Sequence, residues 1–524
     1  MTRRDLPPGR ALLLPLALAL GLAAMASIDA VRQNPRVSAS FIGASTLVAL
    51  WTLALFAQAT RAGRRLGLAI TLRPQHYVQA CAHASIFLYW GWYWREVYDS
   101  AHLIVAQLVF AYAIDVLIAW TTRDEYSLGF GPFPVVFSTN LFLWFRNDWF
   151  FLQFAMLAIG FAGKALITWT RDGRRAHIFN PSAFALTIAS IALLASGASN
   201  LTWGREIAVT QFYPPHMYLF LFLVALPGQL LFGVTTMTMS AVVTTYAIGL
   251  AYFAATGTYF FIDSYVPIAV FLGMHLLFTD PSTSPRTEVG RLIFGALYGA
   301  SVVALYAVLA SLGLPTFYDK LLQVPLLNLS VRAIDQMVRS SRFSAAAVSR
   351  LHDRVTPDAR PASLTGRRRR FAWVAAWVVV FSAMSAAGGV GDGHRGQWLP
   401  FWRDACGSKR PGACAYLAEL ETTLCRAGSG WACNELAIAE AAGDRQPLAA
   451  LAAWERGCEL GFDAACANAN GNTVTAGVAT GPPTTADYAI LVRGSKGPVG
   501  IRDPQRLRAR ACRIGFQEAC GAEP

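Results

Sequence analysis

The chain has 524 residues, of which 55% are hydrophobic and only 14% charged. An ordinary soluble domain has roughly 25% charged residues, so a single soluble globule is excluded as the simplest reading. The net charge of +13 does not point to nucleic acid either: residues 391–524 hold 14 acidic and 14 basic side chains, so the whole excess lies in the hydrophobic part, where cytoplasmic loops of membrane proteins collect Lys and Arg.

The predicted fold class is all-α: a polytopic transmembrane helical bundle of about 12–13 spans, surrounded by membrane lipid, plus a small disulfide-linked α-helical repeat domain. Arg3 and Arg4 precede an apolar run from Ala11 to about Ala30. A span needs about 20 residues, so this run reads as a retained anchor rather than a cleaved signal. A second run at about 41–59 completes an N-terminal anchor hairpin, residues 1–67. Within a membrane domain over 68–340, further runs centre near 77–94, 102–120, 132–145, 149–169, 181–198, 217–234, 236–256, 265–278 and 291–313. An amphipathic stretch from Tyr318 to about Met337 carries Pro325, Arg332 and Asp335 and is the least span-like. A basic cytoplasmic linker, 341–370, ends in four arginines, and a last span follows at 371–390.

Alternating the loops from a cytoplasmic N-terminus puts Arg61, Arg64 and Arg65 inside, then Arg171, Arg174 and Arg175, then Arg286 and Arg291, and finally the arginines at 367–370. Arg32 and Arg36 are exceptions to this positive-inside pattern. Thirteen crossings place 391–524 outside the cytoplasm, in the periplasm of a bacterial inner membrane; twelve reverse that.

Two motifs in the membrane part rise above background: "GKALITWTRDGRRAHIFNPSAF" at 163–184 and "HLLFTDPSTSPRTEVGRLIFGALYG" at 275–299. On the residues alone, Pro181 opens a helix at its first turn, where its missing N–H costs nothing. Thr279-Asp280-Pro281 closes another run, since Pro281 stops simple continuation. Asp280 then either caps backbone groups or faces a polar cofactor. Both motifs resemble the RnfD/NqrB family, membrane subunits of the Rnf electron-transport complex and of sodium-translocating NADH:quinone reductase, over about 68–340. The matching positions are Lys164, Phe179, Asn180, Pro181, Thr279, Asp280, Pro281, Gly290, Arg291 and Gly295. The resemblance implies a membrane electron-transfer subunit of a redox-driven ion translocase, with flavin (FMN or riboflavin) as cofactor and other redox subunits as partners. It implies Lys164, Asn180, Thr279, Asp280 and Arg291 as cofactor-binding residues. Family members attach a flavin phosphate to a Thr in an S-x-A-T motif. Here only Ser196-Gly197-Ala198-Ser199 and Thr210 lie in that region, so no covalent site is identified and a bound flavin is noncovalent. No residue is assigned a catalytic role. His216 and His275 have no second histidine at helical spacing and read as ordinary hydrogen-bonded side chains.

The tail holds eight of the nine cysteines as four C-x7-C pairs: Cys406 and Cys414, Cys425 and Cys433, Cys458 and Cys466, Cys512 and Cys520. Alanine precedes the second cysteine each time, and glycine follows the first by three in three cases. Glycine there suits a left-handed cap between two helices, letting the cysteines meet across the turn. Zinc knuckles use shorter spacings, so local disulfides are predicted, with no metal. Phrases such as "WERGCELGFDAAC" resemble SEL-type, tetratricopeptide-related repeats over about 402–470 and 505–521, which implies protein partners for the tail. No phosphate-binding loop, nucleophile elbow or H-E-x-x-H zinc motif is present. Two alternatives to electron transfer stand beside it: a membrane transporter on the same scaffold, and a non-redox assembly platform.

Overall fold

A computed structural model describes residues 4–171, 173–340, 364–442, 447–471, 477–494, 496 and 503–521. Most of the predicted basic linker, 341–363, lies outside the described residues. Of the described residues 71% are helix and 4% strand. Among the described residues five helices are long and apolar enough to cross a membrane: Pro8–Met25, Pro35–Arg61, Ala101–Thr122, Thr235–Thr256 and Glu288–Ser311. Shorter apolar helices run over Phe151–Leu166, Pro181–Ala195 and Met217–Phe232.

Other predicted runs take different forms. Pro132–Asn140 and Ile268–Leu276 are helices of 9 residues each, reaching about 13 Å, less than half of a hydrocarbon core. Beyond Asn140 the chain leaves the helix while still buried, and the Phe145 N–H donates to Gln153 Oε1 at 3.1 Å. Gln153 in turn joins Gln107 and Asn140 in a buried amide network. Gln323–Arg339 is amphipathic: Asp335 on it pairs with Arg171 at 2.7 Å, and Arg332 lies over the Trp169 ring. In Leu364–Ala386 the apolar part begins only after the arginines.

Strands, which the hydropathy pattern did not suggest, form two small sheets. Leu66–Ile70 pairs antiparallel with Arg4–Leu6 and parallel with Glu125–Leu128. Thr168–Arg171 and Arg174–His177 make an antiparallel hairpin, whose turn uses Gly173 at φ +74°, a conformation glycine adopts without strain.

Chain contacts divide the protein into two units. The first comprises Met1–Gln211, Tyr218–Thr245 and Ile268–Phe381. In it Gly295 and Gly299 of Glu288–Ser311 pack against Thr235–Thr256. A Cβ at Gly295 would stand 2.2 Å from the Met237 carbonyl oxygen, and one at Gly299 2.5 Å from that of Ala241. Small residues four apart allow such backbone approach, and polar side chains then bridge it: Ser240 Oγ donates to the Leu292 carbonyl at 2.6 Å.

The second unit comprises Phe212–Met217, Tyr246–Pro267 and Ser382–Pro524. Its helices Leu399–Gly407, Ala413–Arg426, Gly430–Ala442, Pro447–Glu459, Asp463–Ala469, Thr485–Leu491 and Pro504–Ile514 surround a core that includes Trp402, Trp431, Tyr488 and Phe516. Cys406–Cys414, Cys425–Cys433, Cys458–Cys466 and Cys512–Cys520 stand at disulfide distance, with Cα atoms 4.5–4.9 Å apart. Cys81 is free. The alanines before the second cysteines, Ala413, Ala432, Ala465 and Ala519, are all buried. Gly428, Gly461 and Gly515 all have positive φ, and the equivalent place in the remaining pair is held by Lys409 at φ +54°.

Candidate functional site

Within the first unit the ends of several helices surround a cavity of about 560 Å³. The Thr168–Arg171 and Arg174–His177 hairpin ends at His177, three residues before Asn180. Asn180 caps Pro181–Ala195 by accepting from the Ala183 N–H at 3.1 Å, as an N-cap side chain does, while its Nδ2 donates to the Leu277 carbonyl at 2.8 Å. That second bond ties the F-N-P helix start to the end of Ile268–Leu276. The Asn180 N–H also donates to Asn328 Oδ1, and Asn328 Nδ2 to the Thr283 carbonyl. The two motifs thus meet through backbone groups that broken helices leave to be satisfied.

The cavity wall includes Lys164, Asn180, Thr279 and Asp280, four of the five residues singled out from the sequence. Thr279 Oγ1 is engaged with the His275 carbonyl at 2.9 Å. Asp280 Oδ1 accepts from the Ser282 N–H at 2.8 Å, and Oδ2 meets His177 Nε2 at 3.1 Å. Burial pushes the Asp280 carboxyl up, but the His177 hydrogen bond and charge, together with the Ser282 contacts, outweigh it and hold the group below its ordinary value. Lys164 Nζ lies 3.6 Å from Asp115 Oδ1. Arg291 is elsewhere: it donates to the Gly233 and Pro285 carbonyls and pairs with Glu288 at 3.0 Å, a clamp on the first turn of Glu288–Ser311. Gly163 of the first motif serves packing, because a Cβ there would stand 2.6 Å from the Phe184 ring.

Sequence patterns did not single out Asp115, His177, Arg73, Arg123 and Tyr126, all of which also line the cavity. Asp115 was detectable as a carboxylate inside an apolar run, and His177 stands inside the first motif. Arg73, Arg123 and Tyr126 carried no signal beyond ordinary loop and strand residues. Arg73 and Arg123 are exposed and have no ion pair among the described residues. The Tyr126 hydroxyl is buried without a hydrogen-bond partner among the described residues, and Tyr126 is only 3% exposed.

Ligand pockets usually enclose about 300–1,000 Å³, so this one has room for a flavin. Arg73, Arg123 and Lys164 suit a phosphate, and Tyr126 and Gln79 suit the polar edge of a ring. Thr210 is buried and accepts from Trp90 Nε1 at 3.1 Å, Ser199 Oγ accepts from the Tyr318 hydroxyl at 3.0 Å, and neither residue lines the cavity. Of the two histidines considered from the sequence, His275 bonds the Phe271 carbonyl through Nδ1 at 2.7 Å and His216 lies beside Asp392. No group of three or more His, Cys, Asp or Glu suited to a metal occurs among the described residues. Comparison with family models, curated proteins and solved structures found no match to this chain.

Proposed function

We propose that residues 68–340 form a membrane electron-transfer subunit, similar in kind to members of the RnfD/NqrB family, that holds FMN or riboflavin noncovalently in the cavity. The observation that carries this is the convergence of Lys164, the F-N-P helix start and the T-D-P helix end on one polar cavity whose Tyr126 hydroxyl lacks a partner among the described residues. In this reading Arg73 and Arg123 attract the phosphate at the mouth. Lys164 is held in place by Asp115, and the His177–Asp280 pair sets the charge at the opposite wall. A bound flavin supplies one- and two-electron transfer, and the protein adjusts it by burial and hydrogen bonding. The membrane is then the bacterial inner membrane, with 391–524 in the periplasm as a disulfide-linked repeat domain that recruits protein partners, and with other redox subunits passing electrons.

Absorbance of detergent-purified protein tests the proposal. The two visible flavin bands should be present, or appear after addition of FMN and gel filtration; protein that stays colourless after both treatments sinks it.

A second reading has its own observation. Of two half-length helices, Pro132–Asn140 starts and Ile268–Leu276 ends at the cavity, and transporters build midplane substrate sites from such broken helices. Colourless protein that binds or moves a small anion favours this transporter reading.

A further inference from the structure

The second unit contains a groove of about 440 Å³ that no part of the electron-transfer reading uses. One wall is the turn Arg395–Gln397 with the start of Leu399–Gly407; the other is the end of Pro504–Ile514. Three guanidinium groups line it, Arg395, Arg510 and Arg513, against a single carboxylate, Asp404. Asp404 is itself 3.8 Å from Arg410. None of the three arginines has an ion pair among the described residues. Arg510 is half-buried and lies over the Trp398 ring, 5.1 Å from its centre, and Phe401 adds a second aromatic side chain to the wall.

Holding three like charges around one concavity that has a single carboxylate in its wall is unfavourable unless something offsets them. Burial and then the Arg513 charge push Arg510 below its ordinary value, with Asp392 opposing. The walls are fixed rather than adaptable. Trp402 Nε1 donates to the Gly396 carbonyl at 2.8 Å, tying the Arg395 turn to its helix. Across the groove, Gly515 sits so close to Pro400 that an added Cβ would be 3.2 Å from the Pro400 Cβ. The Cys512–Cys520 bridge holds the Arg513 end.

We infer that this groove binds a phosphate ester, its oxygens shared among Arg395, Arg510 and Arg513 and its organic part lying against Trp398 and Phe401. Guanidinium forks match phosphate oxygens in pairs, and the groove has space for more than the bare anion. The same chemistry is offered by the headgroup of an anionic phospholipid and by a soluble phosphate ester.

The test uses the full chain in neutral detergent. Native mass spectrometry compares retention of phosphatidylglycerol with phosphatidylcholine, and calorimetry titrates glycerol 3-phosphate. Preferential retention of phosphatidylglycerol identifies the lipid headgroup as the source, and saturable glycerol 3-phosphate binding identifies a soluble ester. In either case Arg510→Gln/Arg513→Gln should weaken binding about tenfold or more, as expected for losing charged hydrogen bonds. Arg506→Gln should not, since Arg506 pairs with Asp503 at 3.5 Å outside the groove. Should the double variant not fold, Arg395→Gln alone, at an exposed turn position, carries the same expectation. No binding of either probe, or equal binding by wild type and folded variants, overturns the inference.

Discussion

Asp280 receives two competing influences, burial that disfavours its charge and the His177 and Ser282 contacts that favour it, and the second wins. Asp280→Asn keeps an acceptor for the Ser282 N–H while removing the charge beside His177. Flavin occupancy should fall about tenfold, with the melting profile retained; loss of folding with unchanged occupancy of the folded fraction would mean that Asp280 only caps its turn. Glu421 shows the opposite balance. Burial, followed by the Glu435 charge, pushes it up to about 8, with Arg403 opposing. Because its folded value is raised, the native state holds a proton that the unfolded chain releases above about 4.3. Stability should therefore decrease as pH rises from about 4.3 towards 8, by on the order of a few kcal/mol. Glu421→Gln should flatten that slope in thermal melts across the range. Lys409 occupies a left-handed position that three sister turns give to glycine. A side chain there costs about 1–2 kcal/mol and glycine loses about 0.4–1 kcal/mol of unfolded-state advantage. Lys409→Gly should thus raise stability, by at most about 1.6 kcal/mol, and a lowered melting temperature would refute the strain argument.

Two devices stand out among the elements. The contact of Glu288–Ser311 with Thr235–Thr256 depends on Gly295 and Gly299 lying against backbone carbonyls. Gly295→Ala must push the helices apart, at about 1–3 kcal/mol for overpacking. Gly43→Ala, with nothing within 4 Å of the new Cβ, should be neutral or mildly stabilising. Melting of both variants in the same detergent decides it, and equal behaviour would contradict the packing account. In the tail, each bridge closes a separation of 8 residues, worth about 2–3 kcal/mol on loop-entropy grounds. Non-reducing peptide mapping should recover the four local pairs and an unbridged Cys81. The C-x7-C spacing, the alanine before each second cysteine and the three glycines are all legible without a fold, because they are local. A cap and a bridge across one turn need only residues near in sequence. The half-length helices were not legible, since a 9-residue helix and a longer span share the same apolar run until buried side chains such as Gln153 show where the backbone turns.

For the whole molecule, a reporter active only outside the cytoplasm and fused after Pro524 should be active, and one fused near Asp353 silent; the reverse pattern would remove the thirteen-crossing arrangement and the oxidising compartment with it. By itself the sequence determined the helical class, the apolar runs, the charge-balanced tail with its paired cysteines, and the two proline-broken motifs, because each follows from composition or from neighbours along the chain. Only the tertiary structure decided which of these meet. Lys164, Asn180, Thr279 and Asp280 come to one cavity, while Arg291, inside the same motif as Asp280, turns away to the Gly233 and Pro285 carbonyls. Arg73, and Asp115, Arg123 and Tyr126 from the end of one helix and the strand after it, join from segments outside both motifs. The physical reason is that a helix break states only that backbone groups need partners; which residue supplies them, as Asn180 does for Leu277, is settled by packing between segments that the linear order does not connect.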